Sequence, residues 1–234
     1  MSDKVFRFKQ FSVKYDLSPM KIGFDGILLG AWCDIHNDSM VLDVGTGTGL
    51  IALMLAQKNP NVEIYAIEPH PDSYMEALFN FENCSWKNRL SISKIKLQDY
   101  NPSVKFDHIV CNPPYFNAGT KSFLKDRAKA RHTISLTHEE LLIYATGLLH
   151  SQGKLSVILP FTEGNEFISR AVKLNFGLSR LYEVFTKSKV ERLLIELKYN
   201  WSGNPLRKLL KIYDDSGNYS IEYKNVVNDF YLNI

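Results

Sequence analysis

Beyond residue 39 the chain alternates short runs of β-branched and apolar residues with longer stretches whose apolar positions recur at helical spacing. Residues 40–44 (Met-Val-Leu-Asp-Val) read as a strand, and residues 48–58 as a helix with Leu50, Ile51, Met54 and Leu55 along one side. Residues 62–67 predict a second strand and residues 71–84 a helix entered through Pro71, a residue suited to the first helical turn. Residues 90–95 and 106–111 predict strands three and four. The segment Thr137-His-Glu-Glu140 has the spacing of a capping box and opens a helix over 137–150. Residues 153–160 predict strand five and 163–174 a helix, after which 178–186 and 192–199 face each other across a short polar link as a hairpin would. This order predicts an α/β fold: a mostly parallel, seven-stranded sheet with helices on both faces and an antiparallel hairpin at one edge. In open sheets of this kind the ligand sits beyond the carboxyl ends of the strands. The chemistry therefore belongs after strands one, two and four.

The first forty residues follow a different pattern. Phe6, Phe8, Phe11 and Tyr15 are interleaved with Arg7, Lys9 and Lys14, and Gly23, Gly26 and Gly30 punctuate the stretch that follows. This is too short for an independent domain and reads as a lid or extra strand beside the crevice. The 234 residues then form a single domain: an aromatic and basic extension over 1–39, a core over 40–200, and a tail over 201–234 packed on that core.

Composition narrows the picture without choosing a chemistry. With 45% apolar and 23% charged residues the chain has enough apolar material for a core, which sets it apart from disordered sequences. No apolar run approaches the roughly 20 residues of a membrane span, and the charged start Met-Ser-Asp-Lys lacks the apolar segment of a signal peptide. Cys33, Cys84 and Cys111 are odd in number and far apart, and the six histidines do not cluster with them. A reduced, cytoplasmic protein without a metal site is expected. The net charge of +3 permits a polyanionic partner but does not require one.

Asp43-Val-Gly45-Thr46-Gly47-Thr-Gly49 follows strand one and opens a helix. Glycines there let the backbone turn sharply and approach a ligand closely. Two cofactor classes share this layout. A dinucleotide site carries a further glycine or alanine one position beyond Gly49, where this chain has Leu50. Asp43, just before the loop, is poor company for a pyrophosphate but favours the positively charged amino-acid portion of S-adenosyl-L-methionine. Glu68, ending strand two, can accept from two ribose hydroxyls, and Asp99, just beyond strand three, is placed to accept from an adenine amine. Asp43, Gly45, Thr46, Gly47, Gly49, Glu68 and Asp99 are thus the candidate S-adenosyl-L-methionine residues, and a nicotinamide-dependent oxidoreductase is the disfavoured alternative.

Asn112-Pro113-Pro114-Tyr115 is an odd way to leave a buried strand. The prolines fix φ, and the first restricts Asn112 to extended conformations. The segment presents one amide and one ring in a fixed geometry, suited to a flat substrate bearing an amine: the amide oxygen and a proline carbonyl accept the amine hydrogens while the ring stacks on the face. These four are the candidate catalytic residues. A basic stretch follows directly, with Lys121, Lys125, Arg127, Lys129 and Arg131 against one acid and His132 at its end. These six are the candidate contacts to phosphates of a nucleic acid.

With these pieces assembled, the chain resembles the class I methyltransferases of the amino-methylating kind, and more closely the bacterial tRNA1(Val) adenine-37 N6-methyltransferase family. The likeness covers nearly the full length. Phe6-x-Phe-Lys-Gln-Phe11 and Met20-Lys-Ile-Gly-Phe-Asp-Gly-Ile-Leu-Leu-Gly-Ala-Trp32 match the family's opening. Residues 43–49, 112–116, Ala130-Arg-His132 and Ser135-Leu-Thr137 follow its pattern, as does the ending from Tyr223 to Leu232. There are departures. Phe24 stands where a threonine is usual, Asn83-Cys-Ser-Trp86 lacks a proline, and Ala66-Ile-Glu68-Pro-His70 lacks a second acid. The resemblance implies a Rossmann-like fold, S-adenosyl-L-methionine as methyl donor, and a tRNA anticodon stem-loop as partner, with no membrane, metal or obligate protein partner. Methylation of a glutamine side chain in a translation release factor is the alternative that keeps the cofactor. Enzymes of that kind usually carry a helical amino-terminal domain, which the aromatic and basic opening does not resemble.

Overall fold

A computed structural model describes residues 4–19, 22–114, 136–186 and 189–234. The polypeptide opens with a two-stranded antiparallel hairpin, β1 (Val5–Arg7) and β2 (Ser12–Lys14), followed by helix α1 (Phe24–Trp32). The main body then alternates: β3 (Met40–Val44), α2 (Leu50–Lys58), β4 (Glu63–Ile67), α3 (Pro71–Glu82), β5 (Leu90–Ser93) and β6 (Phe106–Cys111). Helix α4 (His138–Leu148), β7 (Leu149–Pro160) and α5 (Phe161–Val172) continue it. The chain ends with β8 (Phe176–Phe185), β9 (Val190–Tyr199), β10 (Leu206–Lys211) and the short helix α6 (Ile221–Val227).

The main sheet has the order β10–β8–β9–β7–β6–β3–β4–β5. Pairings are parallel except for β9, which runs against both β7 and β8. The strand-helix alternation and the hairpin agree with the sequence pattern. The strand number does not: among the described residues the sheet has eight strands, because β10 extends the edge beyond the hairpin. In β10 only Leu210 is buried among charged and exposed neighbours, so the strand lacks the alternation that marks a half-buried sheet position. The tail packs on the core through Tyr223, Val227 and Phe230 and includes a helix. Residues 221–227 form a helix, capped by the Ser220 hydroxyl accepting the Tyr223 amide at 3.0 Å.

Apolar residues fill both faces of the sheet. On one face α1, α2, α3 and α6 pack through residues such as Leu28, Leu53, Phe81 and Val227; on the other α4 and α5 pack through Leu141, Ala145 and Phe167. Helices α1 and α2 come unusually close, since a Cβ on Gly30 would lie 2.8 Å from Met54 Sδ. The opening segment belongs to this core: Phe8, Phe11 and Val13 are buried, and the rings of Phe8 and Phe11 stack at 4.6 Å. Strands β1 and β2 pair with each other and not with the main sheet. They are fastened to α3, where buried Glu76 accepts the amides of Asp16, Leu17 and Ser18, and Asn80 bridges Lys14 and Thr48. No helix among the described residues is long and apolar enough to cross a membrane.

Candidate active site

Strands β3, β4 and β6 end together, and their exits face one cleft of ≈ 200 Å³ lined by Gly45, Glu68, His70, Leu97, Gln98, Asn112, Pro113 and Pro114 among others. The loop after β3 holds three glycines in the left-handed region, at φ +69° (Gly45), +59° (Gly47) and +83° (Gly49). Their surroundings differ. A Cβ on Gly45 or Gly47 would meet nothing within 4 Å, whereas one on Gly49 would lie 2.5 Å from the Phe81 ring. The first two leave open room against the backbone, and the third allows α3 to pack beneath the loop. Carbonyl Ile67 anchors the loop by accepting the amides of Gly45 (2.9 Å) and Thr46 (3.2 Å).

Asp43 is completely buried at the end of β3. Its Oδ2 accepts the Thr46 hydroxyl at 2.6 Å, and its Oδ1 is buried with no partner at hydrogen-bond distance. Burial pushes the carboxyl up to about 7; the Thr46 hydroxyl and the Ala52 N–H at the start of α2 pull the other way, and Glu68 adds to the rise. Glu68 at the exit of β4 is also buried, with Oε2 accepting the Gly47 amide at 2.9 Å and Oε1 the His70 amide at 2.8 Å. Burial raises its pKa against these two amides. Each of these oxygens keeps a second lone pair for a ligand hydroxyl. Asp43 is not among the residues lining the cleft, but its buried Oδ1 is an unsatisfied carboxylate oxygen of the kind an ammonium group pairs with, and the open backbone at Gly45 and Gly47 fits close approach of a ligand. On chemistry and space the residues suit S-adenosyl-L-methionine.

Asn112 follows β6 at the mouth of the cleft, with Pro113 buried and Pro114 exposed. A Cβ on Gly26 of α1 would lie 3.8 Å from Asn112 Nδ2, so that helix walls the amide on one side. The preceding Cys111 is fully buried, and burial together with the Asp43 and Glu68 carboxylates drives its thiol well up, away from the reactive thiolate. Tyr115 and the basic candidates Lys121, Lys125, Arg127, Lys129, Arg131 and His132 lie outside the described residues.

Two placements differ from the sequence reading. Thr46 is buried and its hydroxyl is committed to Asp43, so it positions that carboxylate. Asp99 is exposed on a single 3₁₀ turn (Leu97–Asp99) and is not among the lining residues; its neighbour Gln98 is, with its amide nitrogen donating to Glu140 at 3.2 Å. The sequence reading also passed over His70, which lines the cleft with a buried Nδ1 lacking a partner. The available signal was its spacing, two residues past Glu68 where a second acid is usual.

Comparison with known proteins fits this geometry. The model of the methyltransferase small domain matches residues 27–187. The tRNA1(Val) (adenine(37)-N6)-methyltransferase of Aliivibrio salmonicida (strain LFI1238) is 42% identical, covering 99% of each chain. The same-named protein of Vibrio parahaemolyticus is 40% identical over 98% of this chain and 96% of its own. Among solved structures, a predicted O-methyltransferase from Agrobacterium tumefaciens superposes with a TM-score of 0.70 at 18% identity, covering 88% of this chain and 96% of its own. A methyltransferase from Pyrococcus furiosus gives 0.58 at 21%, covering 82% and 90%. These last two carry the fold alone. Sheet order, glycine loop and Asn-Pro-Pro exit together define a class I, S-adenosyl-L-methionine-dependent methyltransferase. Within that class, the full-length identities decide the matter: the chain belongs to the tRNA1(Val) (adenine(37)-N6)-methyltransferase family.

Proposed function

We propose that this chain methylates N6 of adenine-37 in tRNA1(Val), using Asn112 and the Pro113 carbonyl to hold the amine. The observation that carries the reading is the convergence of the Asn112-Pro113-Pro114 exit with Gly45 of the glycine loop and Glu68 on one cleft. When bound there, S-adenosyl-L-methionine supplies an activated methyl group, and the hard part of the chemistry is its own. What the protein adds is orientation and electrostatics. The buried, unsatisfied Oδ1 of Asp43 would take the ligand's ammonium, and Glu68 would accept hydroxyls beyond the two amides it already holds. An adenine amine is a poor nucleophile because its lone pair is delocalised into the ring. Accepting both amine hydrogens, on the Asn112 side-chain oxygen and the Pro113 carbonyl, favours the pyramidal nitrogen of the transition state. No strong base is needed for this step. Tyr115 supplies a stacking face for a base extruded from the anticodon loop, and Lys121, Lys125, Arg127, Lys129, Arg131 and His132 supply contacts to its backbone.

The test is methyl transfer from labelled cofactor to tRNA1(Val) transcripts, with nucleosides identified by mass spectrometry. N6-methyladenosine should form on the natural transcript and not when guanine replaces adenine-37. Asn112→Ala should lose turnover while keeping cofactor affinity. Equal labelling of both transcripts would refute the assigned position.

A further inference from the structure

Away from the cleft, an aromatic ladder climbs from the active-site wall to the surface. The half-buried ring of Phe24, at the first turn of α1, stacks on buried Tyr223 at 5.7 Å. Tyr223 meets Tyr219 at 5.0 Å, and Tyr219 stacks on Tyr213 at 5.4 Å with planes 16° apart. The outer pair is open: Tyr213 is 42% and Tyr219 43% exposed. Ile221 beside them is 75% exposed. The two tyrosines close the turn after β10, and the Asp214 carboxylate inside that turn is taken up by the amides of Ser216 and Asn218. Asp215 stands exposed next to it.

The location matters as much as the rings. Strand β10 is parallel to β8 and runs in the same sense as β3 and β6, so Tyr213 emerges at the edge of the sheet that carries the cleft. Four strand spacings separate β10 from β6, about 19 Å. Along β10 the exposed Arg207, Leu209 and Lys211 share one face and lead toward Tyr213, with Glu183 beside Leu209 in the neighbouring strand. Lys208, on the opposite face, sits over the Tyr182 ring at 5.8 Å. The other end of the ladder is Phe24, the residue that departs from the family's usual threonine. Two positions later Gly26 abuts Asn112.

We propose that the Tyr213–Tyr219 pair, with Lys211 beside it and Arg207 further back along the strand, is a second RNA contact that stacks an unpaired base of the substrate about 19 Å across the sheet from the strand that leads to Asn112. This rests on the tRNA reading above and extends it to a surface outside the cleft. Exposed rings accept any base face, and Lys211, at the end of the strand two residues before Tyr213, meets the backbone beside the stacked base. The occupant is a single-stranded or loop segment of RNA, since bases paired in a helix present no free face to a ring.

The experiment measures binding of fluorescein-labelled anticodon stem-loop and full-length tRNA by anisotropy, alongside steady-state methyl transfer. Tyr213→Ala and Tyr219→Ala should each weaken RNA binding and raise KM for tRNA about fivefold or more, with kcat unchanged. Tyr213→Phe should restore wild-type values, because the ring does the stacking. Lys211→Gln should lower the salt dependence of RNA binding. Cofactor titration and thermal melting establish that each variant is folded. RNA affinity within about twofold of wild type in both alanine variants would overturn the proposal. So would a loss of cofactor affinity and melting temperature matching the loss of RNA binding, since the tyrosines would then be structural. A wild-type protein that binds RNA through these tyrosines yet transfers no methyl would instead sink the functional reading and leave the contact standing.

Discussion

At Asp43 two demands oppose each other. Burial holds its carboxyl at about 7, while the ammonium contact proposed for it needs it ionised. Binding and deprotonation are therefore linked. Cofactor affinity is expected to rise between about pH 6 and pH 8, with proton release at the acid end, read by titration calorimetry in buffers of different ionisation enthalpy. Asp43→Asn should bind more weakly and without that slope; a slope that survives the substitution would assign it elsewhere. The glycines separate just as cleanly. Gly49→Ala forces a Cβ into buried Phe81 at a positive φ and should cost about 2–4 kcal/mol in urea unfolding. Gly45→Ala meets open space, so its cost to stability should be only about 1–2 kcal/mol of backbone strain, with the larger effect on cofactor affinity. The sequence announces all three glycines, Asp43 and Glu68 because backbone turns and strand ends have local signatures. That a Cβ on Gly49 would strike Phe81, thirty-two residues away, while one on Gly45 would meet open space is carried by no local pattern.

Among the elements, the opening hairpin shows how a peripheral piece is tied to the core. Glu76 is nearly buried and accepts three successive backbone amides from the chain entering α1, which needs both its charge and its two oxygens. Glu76→Ala should destabilise the protein by about 2–4 kcal/mol by leaving those donors unpaired, and Glu76→Gln should recover part of it. Denaturant unfolding checks both. The elements legible in the sequence were those whose pattern is local. The capping box at Thr137 is formed as read, with Glu140 returning to the Thr137 amide at 2.8 Å. Helix α1 is hidden in the sequence by Gly23, Gly26 and Gly30, residues unfavourable in a helix interior. In the fold Gly30 is where α1 presses on Met54, so there glycine marks close approach of two helices. Strand β10 and helix α6 were missed because their order comes from long-range pairing, with β8 and with the α1 face of the core.

Across the whole molecule, the two ends of the sheet carry opposite pH responses. At the end remote from the cleft, fully buried His108 bridges Asp38 Oδ2 (2.9 Å) and Ser156 Oγ (2.8 Å), and Lys154 reaches Asp38 Oδ1 at 2.8 Å. Burial lowers the His108 pKa, so its unfolded form binds a proton first and stability falls as pH drops below about 6.5. Asp43 works in reverse: its folded pKa is raised, so its contribution is complete below about pH 4 and is lost as pH rises toward about 7. The two partly cancel in the wild type. Asp43→Asn should therefore expose a steeper loss of stability between about pH 6.5 and 5, and His108→Gln should flatten it, both read from urea midpoints across pH. Asp38 acts lower still. Burial would raise its pKa, but His108 and Lys154 outweigh that and hold it down, so its contribution is lost only in more acid solution. The edge of the sheet carries one last consequence, for solubility. Strand β10 is the outermost strand on its side, and an outermost strand offers a row of amides and carbonyls to any other chain. Its sequence Leu-Arg-Lys-Leu-Leu-Lys places three like charges on six residues, so two copies brought edge to edge would repel. Exchange of Arg207, Lys208 and Lys211 for threonine would leave the fold's interior untouched and turn this strand into a template for self-association.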